Sequence, residues 1–196
     1  MTDLKILAIS GSLRAKSHNT ALLHAARKLG PAGLDIDVYD RLREIPPYDF
    51  DQDSPGARPT VVQELRDRIT AADGLLIATP EFNYSVPGVL KNAIDWVSTD
   101  WSKSEGLPLQ RKPTAILGAA PTNFGSVRAQ LALRQVFVWT HTDVVVKPEV
   151  IVFRSHERFD EAGNLVDEGT VALLQDLLGA LQRKITGTEA LGRPMG

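Results

Sequence analysis

The chain has no cysteine. That absence excludes disulfides, iron–sulfur clusters and zinc–thiolate sites together. Charge of one sign is missing too: 22 Lys and Arg face 24 Asp and Glu, a formal net charge of −2, and no run of like charges stands out. Such near-neutrality argues against bulk nucleic-acid binding. No apolar stretch approaches the roughly 20 residues of a membrane-spanning helix. The first residues run directly into a strand pattern, without the basic and apolar regions of a secretion signal. A cytoplasmic protein with neither a membrane nor a nucleic-acid partner is therefore expected. Four histidines (His18, His24, His141 and His156) are scattered without metal-ligand spacing, so no metal site is expected.

What is present is an ordinary globular composition. Of 196 residues, 43% are apolar and 23% charged, enough for one domain with a sizeable core. Residues 5–10 (KILAIS), 74–79 (GLLIAT), 114–119 (TAILGA) and 143–153 (DVVVKPEVIVF) are mostly apolar without alternation. That is the pattern of strands buried on both faces of a parallel sheet. Residues 35–40 (DIDVYD) alternate and read as an edge strand. Apolar residues at helical spacing lie between them, over 20–29, 60–72, 88–98, 126–140 and 168–186. Strand–helix alternation along the whole chain predicts an α/β three-layer sandwich with right-handed crossovers. Five strands in this length fit a flavodoxin-like five-stranded parallel sheet of order 2-1-3-4-5. One domain is expected over 1–186, with a loose tail over 187–196 and a Pro/Asp-rich connector over 41–59. Ligands of such sheets bind at the carboxyl ends of the strands, which directs attention to the loops after Ser10, Thr79 and Ala119.

The first of these loops reads GSLRAKSHN, residues 11–19. Gly11 permits a sharp turn. Ser12, Ser17 and Asn19 bring hydroxyl and amide groups, and Arg14 brings a planar fork that matches phosphate oxygens. A helix starts at Ser17–Asn19, and its free N–H groups favour an anion. The loop lacks a Walker lysine and an acidic residue for Mg²⁺, so triphosphate chemistry is not expected, whereas one phosphate monoester fits. The same residues also fit a plain N-cap at Ser17 with Arg14 on the surface. The second loop, TPEFNYSVPG over 79–88, is stiffened by Pro80 and Pro87. Between the prolines stand Glu81, Phe82, Asn83, Tyr84 and Ser85, flat apolar surface mixed with polar groups. This suits the edge and face of a heteroaromatic ring, with the following helix N-terminus favouring negative charge nearby. A proline-rich turn that only caps the core is the competing reading.

Taken together, GSLRAKSHN and TPEFNYSVPGVLKNAIDW resemble the NADPH-dependent FMN reductase family, which includes bacterial chromate and quinone reductases and azoreductases. The resemblance implies FMN as cofactor and NADPH or NADH as co-substrate. Hydride would pass by way of flavin N5 to a small-molecule electron acceptor such as a quinone, azo compound, metal oxyanion or free flavin, in a ping-pong cycle. It implies that Ser12, Arg14, Ser17 and Asn19 hold the FMN phosphate, with Ser10 beside the cofactor. Pro80, Glu81, Phe82, Asn83, Tyr84 and Ser85 would line the isoalloxazine. Phe82 stands where the family pattern has tyrosine, which keeps a stacking surface and removes a hydroxyl. The loop at 119–128, AAPTNFGSVR, keeps Gly125 and Arg128 of the family pattern and departs between them. No catalytic side chain is implied, since the flavin carries the chemistry.

Gly125, Arg128 and Trp101 are the candidates for contact with substrate or nicotinamide. Arg128 also reads as a surface charge, and Trp101 as an interface or loop-packing residue. The arc Val136, Phe137, Val138 and Trp139 fits either a subunit interface or a well-buried helix, and a homodimer or homotetramer is expected. Lys91 and Asp95 read as a solvated i, i+4 pair. A flavodoxin-type electron carrier is the main alternative, disfavoured by near-neutral charge and by Arg14. A reductase that supplies reduced flavin to a partner monooxygenase, or a flavin-free nucleotide-binding domain, are further alternatives.

Overall fold

A computed structural model of the chain describes residues 3–187. The expected tail, beyond Gly187, lies outside the described residues. Every expected helix is present. In chain order the elements are β1 (Leu4–Ser10), α1 (His18–Leu29), β2 (Leu34–Tyr39), α2 (Thr60–Ala71), β3 (Gly74–Ala78), α3 (Gly88–Val97), β4 (Pro113–Ala119), α4 (Val127–Trp139), β5 (Asp143–Val144), β6 (Val150–Val152) and α5 (Glu168–Thr186). The sheet is parallel throughout, in the order β2-β1-β3-β4-β5, with β6 also pairing β4. This is the flavodoxin-like architecture of order 2-1-3-4-5.

The fifth position differs from the single strand expected over 143–153. It is divided into β5 and β6, which pair the beginning and the end of β4 respectively. Pro148 lies in the gap. It has no N–H to donate to a ladder, so the pairing breaks around it.

Apolar residues on both strand faces produce the three layers. Ile6, Ala8, Leu76, Ala78, Ala115 and Leu117 pack under α1 and α5, against Leu22, Leu23, Leu174 and Leu178. Their neighbours Leu7, Ile9, Leu75, Ile77 and Ile116 point the other way, against Val62, Leu65, Leu90, Ile94, Leu133 and Phe137. Each fully buried Leu, Ile, Val or Phe among them is worth about 1.5–3 kcal/mol. Helix α1 is capped by Ser17, whose side chain accepts from the Thr20 N–H, and α5 by Asp167 in the same way. Helix α4 is not buried all round: Leu133 and Phe137 are inside, but Leu131, Val138 and Trp139 are exposed. Lys91 and Asp95 form the expected pair at 2.6 Å, half in solvent.

The 41–59 connector is held by a buried carboxylate. Asp53 and Arg58 pair at 2.6 Å with side chains 0% and 1% exposed. Asp53 also accepts hydrogen bonds from the Tyr48 and Thr99 hydroxyls, and Arg58 reaches Glu105. Pro46 adds a second anchor, its carbonyl accepting from Trp96 Nε1 and Asn92 Nδ2, each at 2.8 Å. Burial pushes the Asp53 carboxyl up, but the bonds from Thr99, Arg58 and Tyr48 outweigh it and hold the group below its ordinary range. A depressed carboxyl stabilises the fold above the unfolded-state value and loses that contribution as pH falls through the folded one. Asp53→Asn should therefore cost about 3 kcal/mol at neutral pH, because it removes one of the two carboxylates that face the buried Arg58 and leaves only Glu105. Urea unfolding followed by tryptophan fluorescence should show that cost shrinking below about pH 4, the ordinary carboxylate range. A pH-independent cost would show that Asp53 does not titrate with folding.

Candidate active site

Three loops stand side by side at the carboxyl ends of β1, β3 and β4. The first runs from Gly11 to Ser17. Gly11 donates its N–H to Ala78 at 2.8 Å. A Cβ at this position would lie 2.9 Å from the Leu90 side chain and 3.3 Å from the Pro80 ring, so the missing side chain lets the first loop pack closely on α3 and on the start of the second loop. Ser10 is buried and accepts from the Ser12 N–H and the Thr20 hydroxyl, at 3.3 and 2.9 Å. Ser12 accepts from the Arg14 N–H at 3.4 Å. The Arg14 guanidinium is exposed and makes no ion pair among the described residues.

The first turn of α1 is set up as a donor site. Ser17 accepts from Thr20, while the N–H groups of His18 and Asn19 meet no acceptor among the described residues. Two free N–H groups at the positive end of a 12-residue helix, beside an unpaired guanidinium and serine hydroxyls, form an anion site in donor chemistry as well as charge. His18 bonds Ser155 at 2.8 Å and stacks on Phe159 at 4.6 Å. Burial, then Arg14 and His156, push its pKa down, which favours the neutral ring.

Asn19 has a different place from a free phosphate ligand. It is buried, and its amide closes two 2.9 Å bonds with the backbone of Ala119, one in each direction. It thereby ties the start of α1 to the end of β4. Nothing in the local spacing of GSLRAKSHN signals this, because the partner is 100 residues away.

The second loop ends in a tight turn. Phe82 and Ser85 exchange backbone hydrogen bonds at 3.1 and 3.0 Å, and Asn83 and Tyr84 carry φ values of 49° and 67°. Positive φ at both central positions defines a type I′ turn. Phe82, Asn83, Tyr84 and Ser85 all project into solvent, while Pro80 is buried.

Glu81 turns the other way. Its side chain is only 7% exposed and pairs with Arg128. One carboxylate oxygen accepts from the backbone N–H groups of Arg128 and Ala129 at 3.0 and 3.3 Å. Helix α4 has no side-chain cap of its own at Ser126, so Glu81 supplies it from the neighbouring loop. The Arg128 guanidinium then lies 3.7 Å from the centre of the Tyr84 ring and 4.7 Å from that of Phe124. The Glu81 hydrogen bond holds Arg128 further above its ordinary pKa, so the cation persists at any working pH. Arg128 is thus neither a free surface charge nor an unengaged substrate arginine: it joins the second loop to the third.

In the third loop Gly125 has a φ of 57°, and a Cβ there would lie 2.6 Å from Ile151. Gly118, at the end of β4, is similarly constrained, since a Cβ would fall 2.2 Å from the Thr79 carbonyl oxygen. Trp101 belongs elsewhere. Its indole N–H reaches Tyr48 at 3.3 Å and its ring meets Phe50 edge-on at 5.2 Å, so its contacts are with the connector rather than the three loops. Sequence reasoning also passed over Thr20, Ser155 and Arg43, whose guanidinium donates to the Leu13 carbonyl at 2.6 Å.

A 2-1-3-4-5 sheet with a cationic turn after β1 and an exposed aromatic turn after β3 is the arrangement of a flavodoxin-like oxidoreductase. Residues 4–157 match the family model described as NADPH-dependent FMN reductase. The chain is 46% identical over 180 residues to an NAD(P)H-dependent FMN reductase of Pseudomonas aeruginosa, covering 92% of this chain and 94% of that one. It is 39% identical over 175 residues to a 2-hydroxy-1,4-benzoquinone reductase of Burkholderia sp., covering 89% and 92% respectively. Among solved structures, the flavoenzyme NAD(P)H:(acceptor) oxidoreductase of Paracoccus denitrificans is similar with a TM-score of 0.83 and 30% identity, covering 94% of this chain and 98% of that one. The chain belongs to the NADPH-dependent FMN reductase family.

Glu81→Ala should leave two α4 N–H groups uncapped and free Arg128 from the second loop. The loss of the cap alone should cost about 1 kcal/mol in urea unfolding. Hydrogen exchange at Arg128 and Ala129 should accelerate; unchanged protection there would show that Glu81 does not cap α4.

Proposed function

We propose that the crevice between the three loops holds FMN, and that the protein passes hydride from NAD(P)H to a quinone-type acceptor. The donor set at α1 carries this reading: free His18 and Asn19 N–H groups, serine hydroxyls and an unpaired Arg14 converge beside a turn that projects Phe82 and Tyr84. One dianionic phosphate fits that set, with Ser12, Arg14 and Ser17 as its side-chain ligands. Ser10 orients Ser12 and Thr20, and Asn19 fixes the height of the turn against β4. The turn from Phe82 to Ser85 lines the ring. Arg128, held by Glu81, keeps Tyr84 and Phe124 in place at the open side, where a flat acceptor enters. When bound, FMN supplies two-electron hydride exchange, so the protein needs no nucleophile and no dedicated acid or base. The relatives named for FMN and quinone reduction support a quinone as acceptor.

The exposed ridge of Leu131, Val138 and Trp139 on α4 supports a homodimer or homotetramer. Trp139→Ser should then lower the mass measured by sedimentation, and an unchanged mass would place the interface elsewhere.

The direct test is colour and turnover. Purified protein supplied with FMN should be yellow and should oxidise NADPH or NADH with benzoquinone, without a partner protein. Protein that stays colourless with FMN would overturn the reading. Holoprotein that oxidises neither nicotinamide without a partner would make it an electron carrier. Arg14→Ala should weaken FMN affinity about tenfold, the loss of one charge-assisted contact. Unchanged affinity would remove Arg14 from the phosphate site.

A further inference from the structure

The phosphate turn does not account for all the cations around α1. A groove of about 810 Å³ runs from that turn along the outer face of α1, with the 160–164 turn as its opposite wall. That volume is in the range of small-molecule sites. Arg14, Lys16, Arg27 and Lys28 line it, all exposed, and none makes an ion pair among the described residues. Of the arginines elsewhere, Arg41, Arg58, Arg68, Arg128 and Arg158 each meet a carboxylate, while Arg43, Arg111 and Arg183 form no ion pair among the described residues.

Position along the helix separates two anion sites. Arg27 and Lys28 are in the last turn of α1, where cations complement the helix dipole. Arg14 and Lys16 flank its first turn, where the dipole adds to their positive field, which favours an anion there. From Ser17 to Lys28 the helix rises roughly 16 Å at 1.5 Å per residue, too far for one phosphate to reach both ends. A ligand that satisfies the groove must therefore carry anionic groups spread along it, joined by a part that fits a half-apolar channel. Across the groove, Asp160 is engaged by the backbone and side chain of Asn164, at 2.8 and 3.0 Å. Glu161 is exposed beside it.

We propose that this groove receives the adenosine half of NADPH, with Lys16 near the diphosphate and with Arg27 and Lys28 at the 2′-phosphate. The proposal rests on the reading above, that NAD(P)H is the reductant. It makes Arg27 and Lys28 the residues that select NADPH over NADH, since only the 2′-phosphate distinguishes the two.

The test uses FMN-loaded protein at low ionic strength, where exposed charge contacts are least screened. The wild type should bind 2′,5′-ADP more tightly than 5′-AMP by calorimetry, and should prefer NADPH. The Arg27→Ala/Lys28→Ala double variant should lose about tenfold in 2′,5′-ADP affinity and in kcat/KM for NADPH, as expected of two exposed charge contacts. Its kcat/KM for NADH and its FMN content should not change. Glu161→Gln should shift NADPH affinity the opposite way. Equal losses for NADPH and NADH, an unchanged NADPH preference, or a wild type that prefers neither nucleotide would overturn the proposal while leaving the reductase reading intact. Loss of FMN from the double variant would assign the groove to the flavin and would also overturn it. A wild type that oxidises neither nicotinamide would instead sink the underlying reading.

Discussion

Three loops from three different strands can serve one ligand only if their spacing across the sheet is held, and two side chains hold it. Asn19 closes a pair of hydrogen bonds with the Ala119 backbone, so the start of α1 and the end of β4 cannot separate. Glu81 caps α4 and pairs with Arg128, so the loop after β3 cannot drift from the loop after β4. Both groups are largely buried, where an unmatched amide or carboxylate is expensive and a fully bonded one is rigid. Glycine supplies what these bridges cannot. Gly11 lets the first loop pack on the Leu90 and Pro80 side chains, and Gly118 lets the end of β4 approach the Thr79 carbonyl and Ser126 more closely than a Cβ would allow. The site is therefore built from interior polar bonds, with its chemistry-bearing groups left free at the surface.

This division explains why the same residues look like ligands in one dimension and like struts in three. Within GSLRAKSHN, Ser12 and Arg14 stay at the surface, while Ser17 is buried as the cap of α1 and Asn19 faces inward. Within PEFNYS, the turn from Phe82 to Ser85 is offered outward, while Glu81 faces inward. The apparent departure of the 119–128 loop from its relatives also acquires a role. Phe124 is one of two rings against Arg128, which lets the loop pack on the Phe82–Ser85 turn through its side chains.

The electrostatics follow the same plan. A chain of net charge −2 places four exposed cations without ion pairs, Arg14, Lys16, Arg27 and Lys28, on α1 and the turn before it, and pairs Arg41, Arg58, Arg68, Arg128 and Arg158 with carboxylates. The helix dipole adds to Arg14 and Lys16 at the first turn. Charge and dipole together thus give this end of a weakly acidic protein a local positive field.

The sequence by itself determined the five helices, the parallel sheet and its order, because apolar period and strand–helix alternation are local properties that burial enforces. It also marked the two loops, since glycine, proline, serine and arginine act within a few residues of themselves. Only the tertiary structure decided that the fifth strand breaks around Pro148, since pairing depends on what β4 offers at each register position. It alone set Asn19 against Ala119, Glu81 on α4 and Trp101 on the connector. These are contacts between residues far apart in the chain, and no local spacing encodes which distant backbone group a buried amide or carboxylate will find.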